Sequence, residues 1–130
     1  MISGDGIFTH VAVSATDLDA SKKFYDATLG ALGVSNLGPF GDRAFLYGKD
    51  KPGFLVMKPL NGEAATHANG GTIGFTAAQK AQVDAFHAAG LANGGSCEGA
   101  PGPRALPSSY AAYLRDPVGN KICAFCFDGA

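Results

Sequence analysis

The side chains in this chain that could do chemistry are few and scattered. An imidazole ordinarily titrates near neutrality, which suits His10 to act as a general base, a hydrogen-bond donor to substrate or a metal ligand. Cys123 and Cys126 have the Cys-x-x-Cys spacing of redox and zinc sites. They lie in Lys121-Ile122-Cys123-Ala124-Phe125-Cys126-Phe127, an apolar run that reads as a strand. Residues three apart on a strand point to opposite faces, so the expectation is two buried thiols acting as small hydrophobes. Cys97 is the third cysteine, and three do not make a disulfide framework. Arg43 and Arg104 could each clamp a carboxylate or phosphate. Exposure to solvent is the commoner state of an arginine. Tyr110 and Tyr113 are three apart on another expected strand, so one is expected to line a ligand cavity and the other to point away. Ser108 or Ser109 could touch a ligand, but neither sits in a Gly-x-Ser-x-Gly elbow. The nineteen glycines include no Gly-x-Gly-x-x-Gly between a strand and a helix, which removes dinucleotide and P-loop readings.

The elements that must position these residues come in two copies. Shifted by 62 residues, His10-Val11-Ala12-Val13-Ser14-Ala15 falls on Thr72-Ile73-Gly74-Phe75-Thr76-Ala77. Phe24 then meets Phe86, Ala27 meets Ala89, Leu29 meets Leu91 and Gly33 meets Gly95. Such self-similarity implies two half-chains of one design with a cleft where they meet. In the first half, Ile7 to Ser14 reads as a strand, Asp17 as a helix N-cap, and Leu18, Tyr25, Leu29 and Leu32 as a helical stripe ended by Gly30 and Gly33. Arg43 to Gly48 and Phe54 to Lys58 read as strands, and a further strand at Val34 to Leu37 has little signal. Asn61 to Gly71 is the junction. The second half repeats the order with a strand at Thr72 to Ala77, a helix at Gln79 to Gly90 and strands at Tyr110 to Arg115 and Lys121 to Phe127. Ala100 to Ser109, with three prolines, reads as a loop that the first half lacks. His87, matching Tyr25 under the shift, is expected to have a surface or packing role.

Composition sets the outer limits. A chain of 130 residues with 46% hydrophobic and 16% charged residues reads as one globular domain with a core of its own. A net charge of -1 offers no footprint for nucleic acid or an anionic membrane. No apolar run reaches eighteen residues, and Met1-Ile2-Ser3-Gly4-Asp5 has no basic start of a signal peptide. A cytoplasmic protein is therefore expected.

Three segments carry a family resemblance. His10-Val-Ala-Val-Ser-Ala-Thr-Asp-Leu-Asp-Ala-Ser-Lys-Lys-Phe-Tyr25 resembles the opening strand and helix of the glyoxalase, bleomycin-resistance and extradiol-dioxygenase superfamily, the vicinal oxygen chelate proteins. Asp116-Pro117-Val118-Gly119-Asn120 resembles its closing turn, and Val83 to Leu91 resembles its small bacterial glyoxalase-like branch. The resemblance spans nearly the whole chain. It implies an α+β fold of two tandem βαβββ modules forming a cupped, mostly antiparallel sheet. That is one domain over residues 1–130, with module one at about 7–60 and module two at about 69–127. It also implies a small molecule held in the cup, often beside a divalent metal, and a homodimer.

Carried over position by position, the family's metal ligands fall on His10, Thr72, Cys123 and, when a fourth is used, Leu55. Only His10 is a ligand of the usual kind for this family, with Cys123 a thiolate candidate for zinc. His67, near the junction, is a further candidate if it swings in. The expectation is an incomplete metal site, with no cofactor or at most a weakly held divalent metal. The protein is then expected to bind a small organic molecule lined by Leu55, Thr72, Tyr110, Tyr113, Arg43, Arg104 and Cys123, with His10 as the catalytic group if there is one. Two alternatives are a metal-dependent lyase, isomerase or dioxygenase acting on vicinal oxygens, and a metal-free enzyme using His10 and Cys123.

Overall fold

The repeat in the sequence is a repeat in space. The computed structural model describes residues 7–127, so the reading of Met1 to Asp5 lies outside the described residues. In the first module, β1 (Val11–Ser14) leads into α1 (Leu18–Gly30), β2 (Ser35–Phe40), β3 (Ala44–Gly48) and β4 (Pro52–Met57). In the second, β5 (Ile73–Thr76) leads into α2 (Lys80–Ala92), β6 (Ser96–Pro103), β7 (Ser109–Arg115) and β8 (Lys121–Phe127). The strands form two four-stranded sheets in the orders β1-β4-β3-β2 and β5-β8-β7-β6. In each, the first strand pairs parallel with the last and every other pairing is antiparallel. The chain is thus an α+β protein of two tandem βαβββ modules. No helix among the described residues is long and apolar enough to cross a membrane.

Local chemistry sets the element ends. Asp17 caps α1, its Oδ1 accepting from the Ala20 N–H at 3.1 Å. At the matching end of α2, Gln79 gives no side-chain cap, and Gln82 reaches back to accept from the Ala78 N–H at 2.7 Å. The strand of little signal exists as β2 and begins one residue later than expected. The expected loop at Ala100 to Ser109 is in its first part the end of β6, which corresponds to β2. Both are outer strands of their sheets and carry prolines. An outer strand tolerates the lost N–H donor, which is why the prolines read as a loop and fold as a strand.

One apolar core runs through both modules. Phe24, Tyr25 and Leu29 of α1 join Val83 and Phe86 of α2, and Phe54, Val56, Ile122, Ala124 and Cys126 supply the sheet side. The Phe54 and Phe75 rings meet edge to face across the module boundary, with centroids 5.1 Å apart. Gly95 lies flush against Phe24, so that a Cβ there would collide with that ring and come within 2.8 Å of the Arg115 carbonyl.

A polar cluster completes the join. Asp116, 4% exposed at the end of β7, accepts the backbone N–H groups of Val118, Gly119 and Asn120 on Oδ1 at 2.9 to 3.0 Å. On Oδ2 it accepts from the Tyr25 hydroxyl at 2.7 Å and from Asn120 Nδ2 at 2.9 Å. Asn120 also donates to the Ser14 carbonyl at 3.1 Å, at the end of β1. The turn holds because Gly119, at φ 105°, takes a conformation other residues resist.

Removing one donor costs less than removing the acceptor of five. We expect Tyr25→Phe to lower stability by about 1 kcal/mol and Asp116→Ala by about 3 kcal/mol or more, read from urea midpoints. Equal and small effects would show that the cluster does not hold the modules together.

Candidate functional site

Each sheet has one face against its helix and one face without a helix. On β8, Ile122, Ala124 and Cys126 belong to the core beneath α2. Alternation therefore turns Lys121, Cys123, Phe125 and Phe127 to the helix-free face. The separation of Cys123 from Cys126 onto opposite faces is as the spacing requires, and none of the three cysteines is in a disulfide.

The helix-free face of module two is aromatic and framed by cations. The Tyr113 and Phe125 rings meet edge to face at 6.0 Å, and Phe125 stacks on Phe127 at 5.7 Å. Lys121 Nζ stands 5.2 Å and the Arg104 guanidinium 5.5 Å from the centre of the Tyr113 ring. Cys123 is 3% exposed beneath this group, and a Cβ on Gly74 would lie 3.4 Å from its sulfur. Burial pushes the Cys123 thiol up to about 11, against the opposing pull of Lys121, the Tyr113 hydrogen bond and Arg104. Burial raises the Tyr113 phenol as well, with the Cys123 sulfur beside it adding to the effect.

Between the modules lies a cavity of about 510 Å³. It is walled by Ala12 and Ser14 of β1, Met57 of β4, Ile73 of β5, Thr72 and Lys121, the one ionisable side chain of its lining among the described residues. A second cavity, of about 460 Å³, opens at the start of β1 and along β5, against Val11, Phe54, Thr72 and Phe75.

The residues singled out from sequence are distributed over several places. Thr72 lines both junction cavities. Tyr113, Cys123 and Arg104 come together on the helix-free face, although Arg104 is committed to its own strand by donating to the Ala100, Gly102 and Pro103 carbonyls. Tyr110 is the tyrosine that points away. Its hydroxyl donates to Asp84 on α2 at 2.7 Å, on the opposite face of β7 from Tyr113. Ser109 is spent on the Leu106 carbonyl at 2.6 Å. Arg43 donates from Nη2 to the Lys58 and Pro59 carbonyls at 2.9 and 2.8 Å, bracing the end of β4. Leu55 is 5% exposed in module one, opposite Ala12. His10 is exposed just ahead of β1, with its Nδ1 3.0 Å from the Thr9 hydroxyl. His67 sits over the β7–β8 turn, 3.4 Å from the Val118 carbonyl.

The donor set does not fit a divalent ion. The four positions that the resemblance implies offer one imidazole, one hydroxyl, one thiol held in its protonated form, and one hydrocarbon. Among the described residues no three histidine, cysteine, aspartate or glutamate side chains gather closely enough to hold a metal. Sequence reasoning missed Lys121, Phe125 and Phe127. The signal was present in the alternation of β8, which places them on one face with Cys123.

Comparison with known proteins accords with this architecture. A family model described as Glyoxalase/Bleomycin resistance protein/Dioxygenase superfamily matches residues 7–124. A glyoxalase/bleomycin resistance protein from Albidiferax ferrireducens T118 is 51% identical in sequence. It superposes with a TM-score of 0.84, covering 93% of this chain and 98% of its own. A lactoylglutathione lyase from Agrobacterium tumefaciens (23% identity, TM-score 0.65, 93% and 92% covered) and a putative glyoxalase from Bacillus halodurans (22%, 0.67, 92% and 96%) share the fold. No curated protein matches the chain. With two βαβββ modules, an opening strand and closing turn of the expected kind, and a family match over nearly its full length, the chain belongs to the glyoxalase/bleomycin resistance protein/dioxygenase superfamily.

Proposed function

We propose that this protein binds a small, apolar or aromatic organic molecule at the module junction and the adjoining helix-free face, without a complete divalent-metal site, in the cytoplasm. The carrying observation is the lining of the 510 Å³ cavity, which is mostly small or apolar and has Lys121 at its edge. That volume suits a drug-sized or smaller ligand. Lys121 also faces Tyr113, so the cavity and the aromatic face share one cation. A ligand with a flat apolar body and one acidic group matches both.

The inherited metal positions support the metal-free reading through their chemistry. A thiol that keeps its proton is a poor ligand, and Leu55 offers no lone pair at all. We also propose a homodimer, supported by large apolar side chains left in solvent, among them Phe40 at 65% and Phe127 at 51% exposure.

Four measurements test these statements. Titration with the anionic aromatic probe 8-anilinonaphthalene-1-sulfonate is expected to saturate at one site per chain, and Thr72→Trp, which fills the cavity from an exposed position, to weaken binding tenfold or more. Chelator-stripped protein titrated calorimetrically with Ni²⁺, Zn²⁺, Mn²⁺ and Fe²⁺ is expected to show no heat that depends on His10. Micromolar binding abolished by His10→Ala would instead establish the metal-dependent alternative. In a Cys97→Ser, Cys126→Ser background, the ultraviolet thiolate band of Cys123 is expected to rise with a midpoint near 11, and a midpoint near 8 would return it to the list of ligands and nucleophiles. Sedimentation equilibrium should give twice the chain mass of 13.2 kDa, and a monomer at all concentrations would end the dimer proposal.

A further inference from the structure

The thiol best placed for reaction lies outside the ligand site, on the far side of module two. Cys97 is exposed on β6, the outer strand of its sheet. Its register partner is Leu114, which is fully buried beneath α2, so the Cys97 side chain leans toward the helix. There it meets His87, with Nε2 and Sγ 3.2 Å apart. His87 is 8% exposed on α2 and is held there by close packing one turn on. At Gly90 a Cβ would collide with the Leu114 side chain, so α2 settles onto β7 only because that position has none. The depth of the helix is what brings its imidazole within reach of β6.

We propose that Cys97 and His87 form a thiol–imidazole pair that makes Cys97 a modification site for low-molecular-weight disulfides. Burial lowers the basicity of His87 while Asp84, one turn earlier, works against that effect, so at neutral pH the ring is uncharged and can accept a proton. The Cys97 sulfur attacks one sulfur of the disulfide as its proton passes to His87 Nε2. The old S–S bond breaks, a new one forms to Cys97, and the departing thiolate takes the proton from the imidazolium. One thiol is consumed and one released, with no outside oxidant. The two other cysteines cannot compete. Cys123 and Cys126 are buried, and Cys123 holds its proton up to about 11.

The test is the reaction of the intact protein with 4,4′-dithiodipyridine at pH 7, with peptide mapping of the modified cysteine and N-acetylcysteine as the reference thiol. The expected result is a first equivalent that reacts at Cys97 severalfold faster than the reference, with Cys123 and Cys126 unmodified. His87→Gln is then expected to bring Cys97 down to the reference rate or below, while continued protection of Cys123 reports an intact fold. A native Cys97 no faster than N-acetylcysteine overturns the proposal, as does a His87→Gln variant with Cys123 protected and Cys97 undiminished. If His87→Gln exposes Cys123, the variant has lost its fold and the comparison of the native protein with N-acetylcysteine decides alone.

Discussion

Asp116 is a carboxylate removed from water and surrounded by neutral donors, and the arrangement of the two modules depends on it. Taking such a group into a protein interior is costly unless its lone pairs are met. Here three backbone N–H groups of the following turn meet one oxygen, and a phenol and an amide meet the other. The turn donors are local and only shape the β7–β8 connection. The phenol of Tyr25 comes from the other module, and Asn120 passes the tie on to the end of β1. A turn that looks like simple strand punctuation is therefore the place where module two grips module one. The aromatic contact of Phe54 with Phe75 and the flush fit of Gly95 on Phe24 add apolar cohesion without fixing direction. The hydrogen bonds supply the direction.

The path from that join to the binding region is short. Ser14 and Asn120 stand at the ends of β1 and the start of β8, and the neighbouring Lys121 is the cation of the junction cavity. The cavity exists because β1 and β5 are the outer strands of two separate sheets, so no ladder of hydrogen bonds closes the seam between them. Away from that seam, on the inner strands β4 and β8, Leu55 and Cys123 are both buried.

Much of the fold was legible because periodicity is a local signal. The opening strand, expected from Ile7 and present only from Val11 to Ser14, the Asp17 cap, both helices and the closing turn follow from alternation, helical stripes and turn residues. The opposite placement of Cys123 and Cys126 follows from counting alone. The prolines of β6 hid a strand, since their effect depends on whether a strand is an outer one, and that is fixed only by the sheet order. The partners of the arginines were hidden for a related reason. Arg43 and Arg104 donate to carbonyls at strand ends and bulges, and the sequence does not announce those carbonyls. Tyr110 could not be told from Tyr113, because alternation says that two residues differ in face without saying which is which.

The equivalence of Tyr25 and His87 under the 62-residue shift has a consequence for how such a chain can change. Both stand at one point of the repeated helix. In module one that point makes the grip on Asp116, while in module two it meets a thiol on β6. Cohesion between the halves needs the grip at one end only. A scaffold that holds every position twice thus carries redundancy, and the spare copy of a structural position is free to take up chemistry that the working copy could not tolerate.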